Sequence, residues 1–298
     1  MAKTHSFTAE SAAGRLDTYL ASRLPEMSRS YIQKLIGDGH VSVNGRPSKS
    51  GYQVAAGDDI VVNIPPPEPS PLQPEDIPLN VVYQDDDLLV IDKPAGMTVH
   101  PAPGSQSHTL VNALLARFKD LPSGGDMLRP GIVHRLDKDT SGLIIVARNR
   151  RALNKLAAQF KSRSVTKVYT ALVKGHLTPE SGFIDAPIGR DPQNRQRMAV
   201  VDGGRPARTG YRVKKYIGDC SLLEITLETG RTHQIRVHLA AIGYPVVGDA
   251  TYGVRSPHLS RQFLHASRLG FRLPSSNEYV EFDSPLPEDL AQALDAIA

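Results

Sequence analysis

The segment His134-Arg135-Leu136-Asp137-Lys138-Asp139-Thr140-Ser141-Gly142 sets an ionisable carboxylate beside an arginine in a short polar loop. The loop runs directly into Leu143-Ile144-Ile145-Val146-Ala147, a run apolar enough for a buried strand. A carboxylate held at the mouth of such a strand can act as a nucleophile or as an acid-base group. The same residue types also suit a surface turn whose Asp and Ser cap backbone groups, so other segments must decide.

Three further segments bear on this loop. Lys167-Val168-Tyr169-Thr170-Ala171-Leu172-Val173 reads as a strand, in which Tyr169 shares a face with Ala171 and Val173 and its ring points inward. A tyrosine packed in the core with a bonded hydroxyl gives the same pattern. Thr229-Gly230-Arg231-Thr232-His233-Gln234-Ile235-Arg236-Val237-His238-Leu239 predicts a helix capped by Thr232 and ending at Gly243. Ile235, Leu239 and Ile242 form its apolar side, with His233 and Arg236 off that stripe near the start. Asp92-Lys93-Pro94-Ala95-Gly96-Met97 reads as a strand end and a turn.

Metal and cofactor chemistry find little support in the pattern. His233 and His238 are five apart, a poor spacing for shared ligation on a helix, and nothing completes a set with His100 or His134. No GxxxxGK[ST] loop or dinucleotide fingerprint occurs, so no nucleotide cofactor is expected.

The 298 residues allow a sizeable core and two domains. Hydrophobic content of 40% and charged content of 22% fit an ordinary globular protein. Cys220 is the only cysteine and stands where a strand begins, which predicts inert packing, no internal disulfide and a cytoplasmic location. No run approaches the roughly 18 apolar residues of a membrane span, and no leader-like apolar region opens the sequence.

The net charge is only +4, but its distribution is uneven. Arg148 to Lys167 carries seven Lys/Arg and no acid; Ala186 to Lys215 carries eight against two Asp. Acidic stretches at Asp85-Asp86-Asp87 and from Glu278 to Asp295 offset them. A surface divided in this way suits a polyanion such as RNA, although a solvated charged face looks the same in sequence.

Residues 64–78 hold seven prolines in fifteen positions, which excludes a helix or central strand and predicts a stiff linker at 65–78. It separates a module of residues 1–64 from a catalytic-sized remainder, 79–298. In the module, Leu16, Tyr19, Leu20 and Leu24 recur at helical spacing, and Ser28 is placed to cap a second helix carrying Tyr31, Ile32, Leu35 and Ile36. Val41-Ser42-Val43 and an Asn44-Gly45 turn follow, with Ile60-Val61-Val62 as a closing strand. Two short helices and a small sheet, with Arg15-Leu16-Asp17 and Ser28-Arg29-Ser30, resemble the S4 RNA-binding module. Arg29, Lys34, Arg46 and Lys49 are its candidate phosphate contacts.

The remainder alternates strands and helices without a clean βαβ repeat, so the fold class expected is α+β with a mixed, mainly antiparallel sheet flanked by helices. Strands are predicted at 88–91, 142–147, 168–173 and 222–227. Leu153, Leu156, Ala157 and Phe160 form one helical stripe, which places Arg151 and Lys155 on the outer face as further RNA contacts.

Taken together, the S4-like module, Asp-Lys-Pro-Ala-Gly, His-Arg-Leu-Asp-Lys-Asp-Thr-Ser-Gly, Lys-Val-Tyr and Gly-Arg-Thr-His-Gln-Ile-Arg-Val-His resemble the RluA/RluD-type pseudouridine synthases of ribosomal RNA. The resemblance covers nearly the whole chain. It implies that Asp137 is the catalytic carboxylate, that Asp139 only bonds the loop, and that Tyr169 packs beneath the target uracil. It also implies that Arg236 pairs with Asp137, and that Arg135 fills the gap left by a flipped nucleotide. The implied substrate is large-subunit (23S) ribosomal RNA and the implied enzyme a monomer working without cofactor or metal.

Converting uridine to pseudouridine breaks an N-glycosidic bond and makes a C–C bond to the same base, so neither redox agent nor ATP is required. An ionised Asp could attack the sugar or the base, or remove a sugar proton. A buried Asp tends to neutrality, and an adjacent Arg restores its charge by shifts of order one to three pKa units. Two other readings stay open: a non-catalytic RNA-binding or ribosome-assembly factor, and a hydrolase pairing Asp137 with Asp139.

Overall fold

The computed structural model describes residues 3–25, 27, 29–65, 72–101, 105–118, 121–122, 129–194 and 196–297. The expected Ser28 cap and residues 66–71 of the expected linker lie outside them. The chain forms two compact units, residues 1–73 with 121–131, and residues 74–120 with 132–298.

In the first unit, β1 (Lys3–Thr8) and β2 (Gly14–Arg15) precede α1 (Leu16–Arg23) and α2 (Arg29–Gly37). β3 (Val41–Val43), β4 (Arg46–Pro47), β5 (Gln53–Val54) and β6 (Asp59–Ile64) follow. The sheet runs β1-β6-β3-β4, and β2 pairs with β5. Leu16 and Leu20 of α1 and Ile32, Leu35 and Ile36 of α2 are buried in one core with Val41, Val43 and Ile60. The helical and strand periodicities thus converge on one apolar interior.

The second unit begins with β7 (Asn80–Gln84), β8 (Leu88–Lys93), α3 (Leu110–Arg117), β9 (Ser141–Ala147), α4 (Arg150–Ser162) and β10 (Thr166–Lys174). It continues through β11 (Ser181–Asp185), β12 (Ile188–Arg190), β13 (Met198–Val200), β14 (Arg208–Ile217), β15 (Cys220–Leu227) and α5 (Gln234–Ala241). β16 (Leu264–Arg272), β17 (Tyr279–Asp283) and α6 (Glu288–Ile297) complete it. The large sheet runs β11-β14-β15-β10-β16-β9-β8-β7, with β17 also on β16. All its pairs are antiparallel except β9 with β16, so the sheet is mixed and the class α+β.

That parallel pair sits beside the polar loop before β9. Its register sets Gly142 against Ala266, and a Cβ at Gly142 would overlap the Ala266 backbone oxygen and nitrogen. Gly142 also has φ +110, where side chains are strained, so glycine alone lets the two strands close here. Every residue of β9 is buried, in keeping with its continuous apolar run.

Helix details depart from the sequence reading. In α4, Leu153 and Leu156 are buried and Phe160 packs on the same cluster, but Ala157 is exposed and Ala152 takes the fourth place. α5 does not use Thr232 as its cap: His233 holds that position in a left-handed conformation, without a side-chain cap bond. The turn is closed instead by Gln234, whose Oε1 accepts from Arg231 N at 2.9 Å and Thr229 Oγ1 at 2.8 Å. Gln234 Nε2 then donates to Arg208 O and Thr209 Oγ1, both at 3.0 Å. Ile235 and Leu239 are buried, whereas Ile242 is exposed; Gln234 through Leu239 are buried on all sides. α5 is therefore a core helix rather than an amphipathic surface one.

Candidate active site

The loop between residues 134 and 141 is held from several remote elements. Lys93, at the end of β8, is fully buried, and its Nζ donates to the carbonyls of Pro94 (2.7 Å), Met97 (2.9 Å) and Lys138 (3.1 Å). Burial pulls this ammonium down to about 7, while the charges of Asp139 and Asp137 push it back up. Three accepting carbonyls need three N–H groups, which only the protonated form supplies. Arg261 Nη1 donates to Asp139 O at 3.1 Å, and its Nε and Nη2 hold Asp289 of α6 at 2.6 and 2.9 Å. Gln262 Nε2 reaches Thr140 Oγ1 at 3.3 Å, and Ser141 Oγ lies 3.0 Å from His265 Nδ1. His134 accepts Ile145 N on Nε2 at 2.8 Å and stacks on Phe160 at 4.6 Å. Burial, then Lys167, pushes its pKa down to about 3, which keeps the ring neutral and able to accept.

From this platform Asp137 meets α5. Arg236 Nη1 donates to Asp137 Oδ2 at 3.3 Å, with 16% of the Asp137 side chain and 7% of the Arg236 side chain exposed. The acid is thus recessed but reachable. The other edge of the same guanidinium grips Asp249: Nε to Oδ2 at 2.6 Å and Nη2 to Oδ1 at 2.8 Å. Asp249 is fully buried and its Oδ1 also accepts from Thr251 N (2.8 Å) and Tyr252 N (3.0 Å). Burial opposes its charge, yet the Arg236 bonds prevail and hold the carboxyl below the usual range. The Tyr252 ring lies 5.0 Å from the Arg236 guanidinium carbon, and its hydroxyl bonds Met198 N at 2.8 Å and pairs with His233 Nδ1 at 2.9 Å. Arg236 is therefore fixed by a bidentate carboxylate on its edge and an aromatic face beside it.

Tyr169 projects from β10 and is buried. Its phenol is pushed well above its ordinary value by burial first and by the Asp137 charge second, which places it within the field of that acid. Arg135 is exposed, and its charge is felt at His233. Asp139 is half-buried, and it is its backbone oxygen that Arg261 holds. The fold thus brings Asp137 and Arg236 into direct contact, with the Asp137 charge felt at Tyr169.

The other expected RNA contacts differ in availability. Arg29 donates to buried Asp17 through Nε and Nη2 at 3.1 and 3.0 Å. Arg151 Nη2 holds Asp87 at 2.9 Å, and Lys155 Nζ donates to Pro274 O at 2.7 Å. These three side chains each bond a group of the fold and remain exposed. Lys34, Arg46 and Lys49 are exposed and form no ion pair among the described residues. Sequence reasoning gave no role to Lys93, Asp249, Tyr252 or Arg261. A charged residue ending the apolar run of β8 was a usable signal for Lys93; Asp249, in Gly248-Asp249-Ala250-Thr251-Tyr252-Gly253, looks like any turn. Among the described residues no group of three or more His, Cys, Asp or Glu could hold a metal ion, and no helix is long and apolar enough to cross a membrane.

The family model for RNA pseudouridylate synthase matches residues 87–241, and the S4 domain model matches residues 14–60. The chain belongs to the RNA pseudouridylate synthases. A relative from Chloroflexus aurantiacus named as an uncharacterized RNA pseudouridine synthase is 57% identical over 93% of this synthase and 88% of its own length. The Zymomonas mobilis protein named ribosomal large subunit pseudouridine synthase D is 44% identical, over 96% of this chain and 94% of that one. Among solved structures, human RNA pseudouridylate synthase domain containing 1 aligns with a TM-score of 0.58 and 32% identity, covering 70% of the synthase and 83% of the human chain. The synthase is accordingly an isomerase acting on RNA, and its S4 module is an RNA-binding unit.

Proposed function

We propose that this enzyme isomerises specific uridines to pseudouridine in large-subunit ribosomal RNA in the cytoplasm, with Asp137 as the reacting carboxylate. One observation carries the assignment of the acid: a recessed carboxylate with one oxygen tied to a fixed guanidinium. The ribosomal target rests on the names of full-length relatives, together with the S4 module.

In this reading the N1–C1′ bond breaks, the base turns, a C5–C1′ bond forms, and the C5 proton leaves as N1 gains one. The product is an isomer, so no oxidant, reductant or nucleotide is consumed. Asp137 attacks the sugar or base, or takes the sugar C2′ proton. Arg236 supplies the positive charge that favours the ionised acid. Tyr169 stacks beneath the uracil, and exposed Arg135 fills the vacated position in the RNA stack, offsetting part of the extrusion cost. Lys34, Arg46 and Lys49 contact phosphates.

The test is tritium release from 5-tritiated uridine in a large-subunit ribosomal RNA transcript. Release by wild type and none by Asp137→Asn, with RNA affinity retained, is the expected result. Unchanged release in that variant rejects the role of Asp137. Free uracil as product indicates hydrolysis instead.

A further inference from the structure

The bidentate edge of Arg236 is not offered to Asp137. Asp249 occupies it with two bonds of 2.6 and 2.8 Å, and Asp137 receives one bond of 3.3 Å from the remaining nitrogen. A guanidinium released from Asp249 would present that fork to the nearest carboxylate, because paired N–H groups match carboxylate geometry best. It would then engage both oxygens of Asp137 and leave neither oxygen clear of the guanidinium. We infer that Asp249 is a positioning residue: it ties up the Arg236 fork elsewhere, so that Asp137 stays charged through one contact yet keeps an oxygen free to react. The inference rests on the reading of Asp137 given above and deepens it.

Several observations point the same way. Asp249 is fully buried, and its Oδ1 is fixed by two backbone amides before it meets Arg236. The carboxylate is thus anchored to its own turn rather than carried along by the arginine. Tyr252, three residues further on, sets its ring beside the same guanidinium and ties its hydroxyl to the backbone of Met198. One turn therefore fixes the arginine in both direction and distance. Asp249 also lies beyond residues 87–241, the span matched by the family model, in a segment to which the sequence reading gave no function.

Asp249→Glu keeps the charge pair, and with it the compensation for a buried guanidinium, but displaces the fork by one methylene. A misplacement of about 1 Å can cost about 100-fold in rate. The expected result is a single-turnover tritium-release rate at least about tenfold below wild type, with the dissociation constant for the transcript within about twofold. A purely structural ion pair predicts recovery by Glu, and a rate within about twofold of wild type overturns the inference. The pair Arg236→Gln/Asp249→Asn removes both charges and does not require Glu to fit. If Asp249 acts only through Arg236, this double variant releases tritium as slowly as Arg236→Gln alone, within about twofold. A further, additive loss overturns the inference. Asp137→Asn run alongside separates the two readings. If that variant stays active, the Asp137 reading fails; if it is dead while Asp249→Glu is normal, only the positioning role fails.

Discussion

Arg236→Gln removes the cation that bridges Asp137 and Asp249, and its cost can be worked out in advance. Asp249 is fully buried and would lose its bonds of 2.6 and 2.8 Å. Deleting one partner of a buried ion pair costs about 3–5 kcal/mol. With a urea m-value of about 2–3 kcal/mol/M, the unfolding midpoint falls by about 1–2.5 M. The deficit depends on pH in a defined direction. In the wild type, Asp249 is held below the usual carboxylate range despite burial, so its stabilisation is present above the unfolded pKa and lost as pH falls through the folded one. In the variant burial is opposed only by the Thr251 and Tyr252 amides, and the carboxyl rises above its wild-type value. Between those two folded values the native variant binds one proton more than native wild type. Its deficit therefore grows by about 1.4 kcal/mol per pH unit as pH rises. The chain has no Trp, so urea unfolding is followed by far-UV circular dichroism, at about pH 4 and about pH 7. A deficit under about 1 kcal/mol at the higher pH, or an equal deficit at both, refutes the charge arrangement.

Other outcomes follow from single features. Tyr169→Leu removes an aromatic face and is expected to slow single-turnover tritium release by about 10- to 100-fold, the equivalent of about 1–3 kcal/mol of base stacking. Gly142→Ala sets a Cβ against the Ala266 backbone at φ +110; a loss of more than about 2 kcal/mol in urea unfolding is expected, because neither overlap nor left-handed strain can be relieved locally. Replacing Lys34, Arg46 and Lys49 together by Ala should flatten the salt dependence of RNA affinity, lowering the log–log slope by about 2–3, measured by filter binding across a salt series. Arg151→Ala, whose guanidinium is spent on Asp87, should leave that slope unchanged.

The apolar strands were readable because burial on both faces leaves a continuous apolar run, as in β9 and in Leu88–Ile91 of β8. β14 escaped notice for the opposite reason. From Tyr211 to Tyr216 every residue is half-buried or exposed, and Arg212 and Lys214 lie outward against Glu224 of β15. The Lys and Arg that read as an RNA-facing block are there partly cross-strand partners. Thr232 looked like a cap because Thr before an apolar-periodic run usually is one; a left-handed His233 and the Gln234 side chain did that work instead. Asp137, Tyr169 and Arg236 are named by the family resemblance that their motifs carry together, and the fold pairs Asp137 with Arg236. Asp249 could not be named, since its partner Arg236 lies thirteen positions away and only tertiary structure reveals the pair. Likewise, no neighbouring residue in sequence signals that Arg29 and Arg151 bond buried acids instead of facing solvent unpaired.

The brace on the Asp137 loop draws on residues made long after it. Arg261 grips the Asp139 carbonyl while itself held by Asp289, so the scaffold around Asp137 is unfinished until α6 has been translated and docked. A half-synthesised polypeptide can carry a complete S4 module and still be chemically silent. The last brace on the Asp137 loop therefore closes only when the final helix is in place.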